Sequence, residues 1–236
     1  MLGGSGGDPE IRRRIGYLPG DLRLDPAYRA ADVIELFGNL RGGVDQQWVD
    51  SLLERFGLDP TRPVGELSTG NRRKVGLVQA FMSRPELLLL DEPTSGLDPL
   101  LQHEFNALVR EVAADGATVL LSSHVLPEVE ALAARVGIVR QGRLVAVAGV
   151  DELRRTARQR LELHVASQVG EADLAPFREL PEVGEVTARA GVVHVVVEGS
   201  VDKVIKAAAA LEVLRIVSHE ADLEDVFLRY YQQEAG

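Results

Sequence analysis

Leu87-Leu88-Leu89-Leu90-Asp91-Glu92 is the stretch that decides the fold: four apolar residues in succession, then two acids. A strand that is apolar on both faces belongs inside a parallel sheet covered by helices. Its C-terminal end is the edge at which open α/β sheets bind their ligands. The carboxylates of Asp91 and Glu92 are therefore delivered to a binding edge, although the same pattern also fits an ordinary solvated strand end.

On either side of this strand the elements alternate. Ser68 is placed to cap a helix running to about Ser83, stopped before Pro85. A helix is expected over Leu100–Ala114 with Gly116 as its stop, followed by strand Thr118–Ser122, helix Leu126–Ala134 and strand Val136–Val139. Gln141-Gly142-Arg143 then turns into strand Leu144–Ala148. Upstream, residues 1–9 read as a flexible lead, Ile11–Leu18 as a strand and Pro19-Gly20-Asp21 as a turn. Between them and Ser68, Val33, Ile34, Phe37 and Leu40 repeat at helical spacing, as do Val49, Leu52, Leu53 and Phe56. This predicts a helical subdomain over about residues 28–85, with Trp48 in its packing. Strands alternating with helices give an α/β fold with a mostly parallel sheet over residues 1–150.

After Gly149 the pattern changes to a small α+β accessory domain, residues 151–236, joined by the Arg-rich stretch Arg154–Arg160. Strands are expected at Leu161–Val165, Val192–Val197 and Leu214–Ser218. Helices are expected at Val150–Ala157, Ala172–Leu180, Asp202–Leu211 and Leu223–Tyr231. His164, His194 and His219 are spread through this part and read as structural, since their spacing does not converge.

Composition narrows the function classes. Acidic residues outnumber basic ones 36 to 26, a net charge of −10, so no general basic field exists to hold nucleic acid. There is no Cys, which excludes disulfides and thiolate metal sites. No apolar run approaches the roughly 18–20 residues of a membrane-spanning helix. The first residues, Met-Leu-Gly-Gly-Ser-Gly-Gly, lack the basic and apolar regions of a signal peptide. The expectation is a cytoplasmic chain that meets a membrane only through a partner.

Three further groups carry chemistry. Asp91 can hold Mg²⁺, which prefers oxygen ligands and keeps several waters, and Glu92 can orient or deprotonate an attacking water. His124 ends a second strand, Val119–His124, and shares the C-terminal rim of the same sheet. Leu67-Ser68-Thr69-Gly70-Asn71 opens a helix with small and polar residues whose free N–H groups suit an anion, or serve capping alone. Arg72-Arg73-Lys74 follows and reads as a solvated helix face.

These residues together resemble the ATP-binding subunits of ABC transporters. Leu67–Asn71 resembles the signature motif, with Thr69 and Asn71 in place of the commoner Gly and Gln. Leu87–Asp91 resembles Walker B followed by Glu92 as catalytic base. Ser95-Gly96-Leu97-Asp98 is similar to the D-loop, and Ser122-Ser123-His124 to the surroundings of the switch histidine. The resemblance covers essentially residues 10–236. It is nearest to ABC-2-type exporters of the drug-resistance and sodium or polysaccharide efflux kind, which often end like Asp222-Leu223-Glu224-Asp225-Val226-Phe227-Leu228.

The resemblance implies a P-loop-NTPase-like cassette that binds ATP and Mg²⁺, pairs head to tail with a second ATPase subunit, and drives a multi-span permease. It implies Asp91 for Mg²⁺, Glu92 as base, His124 for the γ-phosphate, and Ser68, Thr69, Gly70 and Asn71 for the ATP of the partner, with Asp98 coupling the two sites. Two departures stand out. The pattern G-x-x-x-x-G-K-[ST] is missing, and no Gly-Lys pair occurs at all. The Q-loop glutamine falls at Gly20, which has no side chain. Met1-Leu2-Gly3-Gly4 resembles the strand-and-turn after a P-loop helix, so the cassette is expected to be incomplete at its N-terminal side and inactive alone. The alternatives are a P-loop-less partner that lends its signature motif in trans, and a non-transport ABC protein. Members of that last class carry coiled-coil or zinc insertions, or tandem cassettes with basic linkers, and the sequence contains neither.

Overall fold

The computed structural model describes residues 2–5, 7–156 and 158–219. They form two compact units, Met1–Leu132 and Ala133–Gly236. The predicted final helix Leu223–Tyr231 and the stretch Asp222–Leu228 lie outside the described residues.

In the first unit, β1 (Ile15–Leu18), β2 (Leu87–Asp91) and β3 (Thr118–Ser122) make a three-stranded parallel sheet in the order β1-β2-β3. The register pairs Leu18 with Leu90 and Asp91 with Ser122, so the three strands end on one rim. Leu88 and Leu90 of the central strand are buried, as four successive apolar residues require. On its other side β3 pairs with no strand among the described residues, and one face of β3 is uncovered, Leu120 being 65% exposed.

The predicted strand Ile11–Leu18 is two elements. Asp8 accepts a hydrogen bond from the Glu10 N–H (2.9 Å) and Pro9 takes the first helical position, so the chain begins with a short helix, α1 (Pro9–Arg13). Residues 2–4, expected to resemble a strand and turn, are turn and bend only.

Helices α2 (Ala30–Leu40), α3 (Gln46–Phe56) and α4 (Thr69–Phe81) pack with the sheet into one core. Helix α4 is buried nearly all round from Val75 to Phe81. A β-carbon on Gly16 would stand 2.2 Å from the Ala80 carbonyl oxygen, so β1 and the end of α4 touch through their backbones. The Trp48 indole donates to the Phe81 carbonyl (3.0 Å) and the Arg84 guanidinium stacks over its ring at 4.1 Å, tying α3 to the same point. Helix α5 (Pro99–Ala114) follows β2, and α6 (Leu126–Leu132) follows β3.

The units part between Leu132 and Ala133, ahead of the boundary at 150 read from the sequence. The reason is β4 (Arg135–Arg140). It does not extend the parallel sheet but pairs antiparallel with β5 (Arg143–Gly149). Gln141 and Gly142 both take positive φ, the backbone of a tight two-residue hairpin. Helix α7 (Val150–Thr156) follows. The rest of the second unit is a four-stranded antiparallel sheet, order β7-β8-β6-β9, from β6 (Arg158–Val165), β7 (Val183–Arg189), β8 (Val192–Glu198) and β9 (Val213–His219). Helices α8 (Glu171–Arg178) and α9 (Asp202–Ala208) contribute Leu174, Phe177 and Val204 to its core beside Leu161, Leu163, Val193, Val195 and Val197.

Candidate functional site

Asp91 and Glu92 leave β2 between the loop after β1 and the end of β3. The Ser122 hydroxyl donates to Asp91 Oδ1 (2.5 Å) and the Gly20 N–H donates to Asp91 Oδ2 (3.1 Å), so both carboxylate oxygens are held on the exposed rim. A β-carbon at Gly20 would lie 2.7 Å from Asp91 Oδ2. The loop therefore reaches Asp91 by its backbone, at the position where the resemblance places a glutamine.

Glu92 takes φ +47°, a left-handed backbone that non-glycine residues rarely adopt. Its N–H donates to the Ser122 carbonyl (3.2 Å) and hydroxyl (3.1 Å). Its Oε2 lies 2.6 Å from His124 Nδ1, with the His124 side chain 77% exposed and that of Glu92 33%. The rim thus unites the Asp91, Glu92 and His124 expected from the sequence. A carboxylate aimed by an imidazole can take a proton from water, and a second, fixed carboxylate beside it offers the hard oxygen donor Mg²⁺ prefers. Among the described residues no group of three or more His, Asp or Glu is placed to hold a metal. An ion here would rest on one carboxylate plus phosphate and water oxygens, a set that suits Mg²⁺.

The start of α4 forms a second cluster. Ser68 caps the helix, its Oγ accepting from the Asn71 N–H (3.2 Å). Ser68 and Thr69 are exposed, while Gly70 and Asn71 are half-buried. A β-carbon on Gly70 would sit 2.7 Å from the Gly96 carbonyl oxygen, so the signature-like turn and the loop Ser95–Asp98 are in backbone contact. Gly70→Ala is expected to cost about 1–3 kcal/mol, as overpacking does, read as a lower urea midpoint at unchanged slope. Asp98 caps α5, its side chain accepting from the Leu101 N–H (3.0 Å) and its carbonyl from the Gln102 N–H (3.0 Å).

The reading of Arg72-Arg73-Lys74 as a solvated face fails at Arg73, which is 5% exposed. Its guanidinium donates to the carbonyls of Pro19 (2.7 Å), Gly20 (3.1 Å) and Pro93 (3.3 Å), and to those of Asp91 and Glu92. Burial lowers its pKa from the ordinary arginine value, and the negative charges of Asp91 and Glu92 oppose that shift. Sequence reasoning also missed Glu128, a buried carboxylate that accepts from the Ser123 hydroxyl (2.5 Å) beside His124.

In the second unit, the three histidines read as scattered converge. His219 Nε2, His164 Nε2 and His194 Nδ1 stand 3.3, 3.6 and 3.8 Å from the Glu162 carboxylate. Strand pairing sets Glu162 opposite His194.

Comparison with known proteins agrees with the geometry. The ABC transporter family profile matches residues 6–95. An ABC transporter ATP-binding protein of Alkalihalophilus pseudofirmus is 33% identical over 222 residues, 91% of this chain and 82% of that protein. The bacitracin transport ATP-binding protein of Bacillus licheniformis is 30% identical over 229 residues, 93% of this chain and 74% of that one. A daunorubicin resistance ATP-binding protein of Streptomyces coeruleorubidus is 38% identical over 170 residues, 69% of this chain and 54% of that one. A solved structure described as the ATP-binding subunit of an ABC transporter superposes with a TM-score of 0.59 at 31% identity, covering 63% of this chain and 65% of that one. The chain therefore spans between about half and four fifths of the length of these relatives. With its parallel sheet and shared rim, it belongs to the ATP-binding subunits of ABC transporters, among relatives of the exporter type.

Proposed function

We propose that this chain hydrolyses ATP for an exporter, with Glu92 as the base that takes a proton from the attacking water. Asp91 would hold the nucleotide's Mg²⁺, which would supply neutralisation of charge on the phosphate oxygens. His124 contacts the γ-phosphate and orients Glu92. Ser68, Thr69, Gly70 and Asn71 offer a helix start to the ATP held by a second, head-to-tail subunit, and Asp98 couples the two sites. The observation that carries the reading is the shared rim, with Glu92 2.6 Å from His124 and Asp91 fixed from both sides.

Hydrolysis also needs a phosphate cradle of backbone N–H groups and a Lys. These 236 residues contain no such pattern, so we assign that grip to residues outside them, in cis or on a partner. The edge of β3 that pairs with no strand among the described residues is where a further strand would add, and a helix after it would cover the face that exposes Leu120. Transport coupling runs through the region from Asp21 to Leu40, beside an apolar groove of about 660 Å³ lined by Tyr17, Leu22, Val33 and Phe37 among others. A permease docked there would place the chain on the cytoplasmic face of the membrane; no helix among the described residues is long and apolar enough to cross one.

The test is ATP turnover in two arrangements: a chimera with a P-loop strand and helix from a complete relative ahead of residue 1, and a mixture of this chain with a complete subunit. Mg²⁺-dependent turnover by the chimera is expected. A folded chimera that binds ATP without hydrolysing it would overturn the proposal. A rise in turnover in the mixture, abolished by Ser68→Arg in this chain, would instead assign it the role of lending its signature motif in trans. The exposed Ser68 and Thr69 favour that as the second reading.

A further inference from the structure

Arginine carries five N–H donors in a rigid fork. In Arg73 all five are used, and every acceptor is a backbone carbonyl: Nε on Pro93, one terminal nitrogen on Pro19 and Gly20, the other on Asp91 and Glu92. These acceptors lie in the loop leaving β1 and in the end of β2 with the turn that leaves it, while Arg73 itself stands in the second turn of α4, just after Ser68–Asn71. A buried side chain thus joins three segments that the rest of the site uses. Its charge is faced by the carboxylates of Asp91 and Glu92 rather than by a private partner.

The geometry points to Arg73 as a positioning residue for hydrolysis. We propose that it locks the start of α4, the Pro19–Gly20 loop and the Asp91–Pro93 turn into one body. That lock holds Glu92 in its left-handed conformation and passes displacement of the signature turn to the two carboxylates. Left-handed backbone at a non-glycine residue is strained and persists only where its surroundings over-determine it. Here the Glu92 N–H is held by Ser122 and the Glu92 carbonyl by Arg73. The same guanidinium holds the Gly20 carbonyl while the Gly20 N–H holds Asp91, so the loop that lacks a side chain is anchored by main chain at both ends. Lysine, with three donors and no planar fork, cannot serve five carbonyls in two segments.

The inference rests on the proposed role of Asp91 and Glu92, and its test separates the two. Amide hydrogen exchange is measured on the whole 236-residue chain for the native protein, Arg73→Met and Arg73→Lys. In Arg73→Met the Gly20 and Glu92 amides are expected to exchange at least about tenfold faster while amides of Leu77–Phe81 keep their protection. Arg73→Lys should fall between. In the P-loop chimera, Arg73→Met should lower kcat at least about tenfold with KM for ATP within about twofold, the pattern of a group needed only in the transition state. Unchanged exchange at Gly20 and Glu92, or a loss spread evenly over α4 and the core, overturns the proposal, as does a raised KM at unchanged kcat. If Arg73→Met fails to fold, Arg73→Lys decides by the same readouts. If the native chimera shows no turnover while exchange changes as described, the hydrolytic reading fails and the lock stands.

Discussion

In a chimera carrying a P-loop ahead of residue 1, Glu92→Gln is expected to lower ATP turnover by roughly 10²–10⁴-fold, the usual contribution of a general base. Gln keeps the length and shape of Glu and can still hydrogen-bond to His124, but its amide cannot take a proton from water. The backbone is not disturbed, because Gln and Glu are alike non-glycine residues at φ +47°. MgATP affinity should therefore survive, with the loss confined to kcat. A fall of less than about tenfold would mean that Glu92 does not act as a base. His124 is exposed and hydrogen-bonded to the same carboxylate, so the pair should act as a unit, and removal of both should cost little more than removal of Glu92 alone.

The second large effect concerns the core behind the rim. Phe81→Ala is expected to cost about 3–5 kcal/mol, read as a shift of the urea midpoint at nearly constant slope. Phe81 is fully buried and meets Phe105 edge-to-face at 6.3 Å. Its carbonyl also receives the Trp48 indole, so α3 and α4 are both anchored where the cavity would open. A domain's whole stability is about 5–15 kcal/mol, which makes this a substantial fraction of it. A loss below about 1 kcal/mol would mean that neighbours collapse into the space, contrary to the close packing seen around α4.

The central strands of the first unit were legible because burial on both faces leaves a plain mark. Leu87–Leu90 and Thr118–Ser122 are strands in the structure, and Ser68 caps its helix as a Ser before a helical run should. The rim followed from topology: parallel strands end on the same side, so Asp91, Glu92 and His124 had to be near one another. Arg73 was not legible, since Arg72 and Lys74 beside it mimic a solvated stripe. The available signal was that Gly76, Leu77 and Ala80, at i+3, i+4 and i+7 from Arg73, are all apolar or small, so Arg73 lies on a buried face of the helix. The helix over Pro9–Arg13 was hidden by the apolar residues after it, although Asp8-Pro9 is a capping pair. Strand β7 escaped because a bulge between Val183 and Glu185 breaks its alternation. The meeting of His164, His194 and His219 at Glu162 depends on strand register, which no local spacing encodes.

The most direct measurement is phosphate release from MgATP by the purified 236-residue chain, set against its Glu92→Gln variant. The rim supplies a base and a metal carboxylate, but the phosphate grip is assigned to residues outside this sequence. No Mg²⁺-dependent release above the level of the variant is therefore expected. Robust release by the chain alone, abolished by Glu92→Gln, would contradict the account.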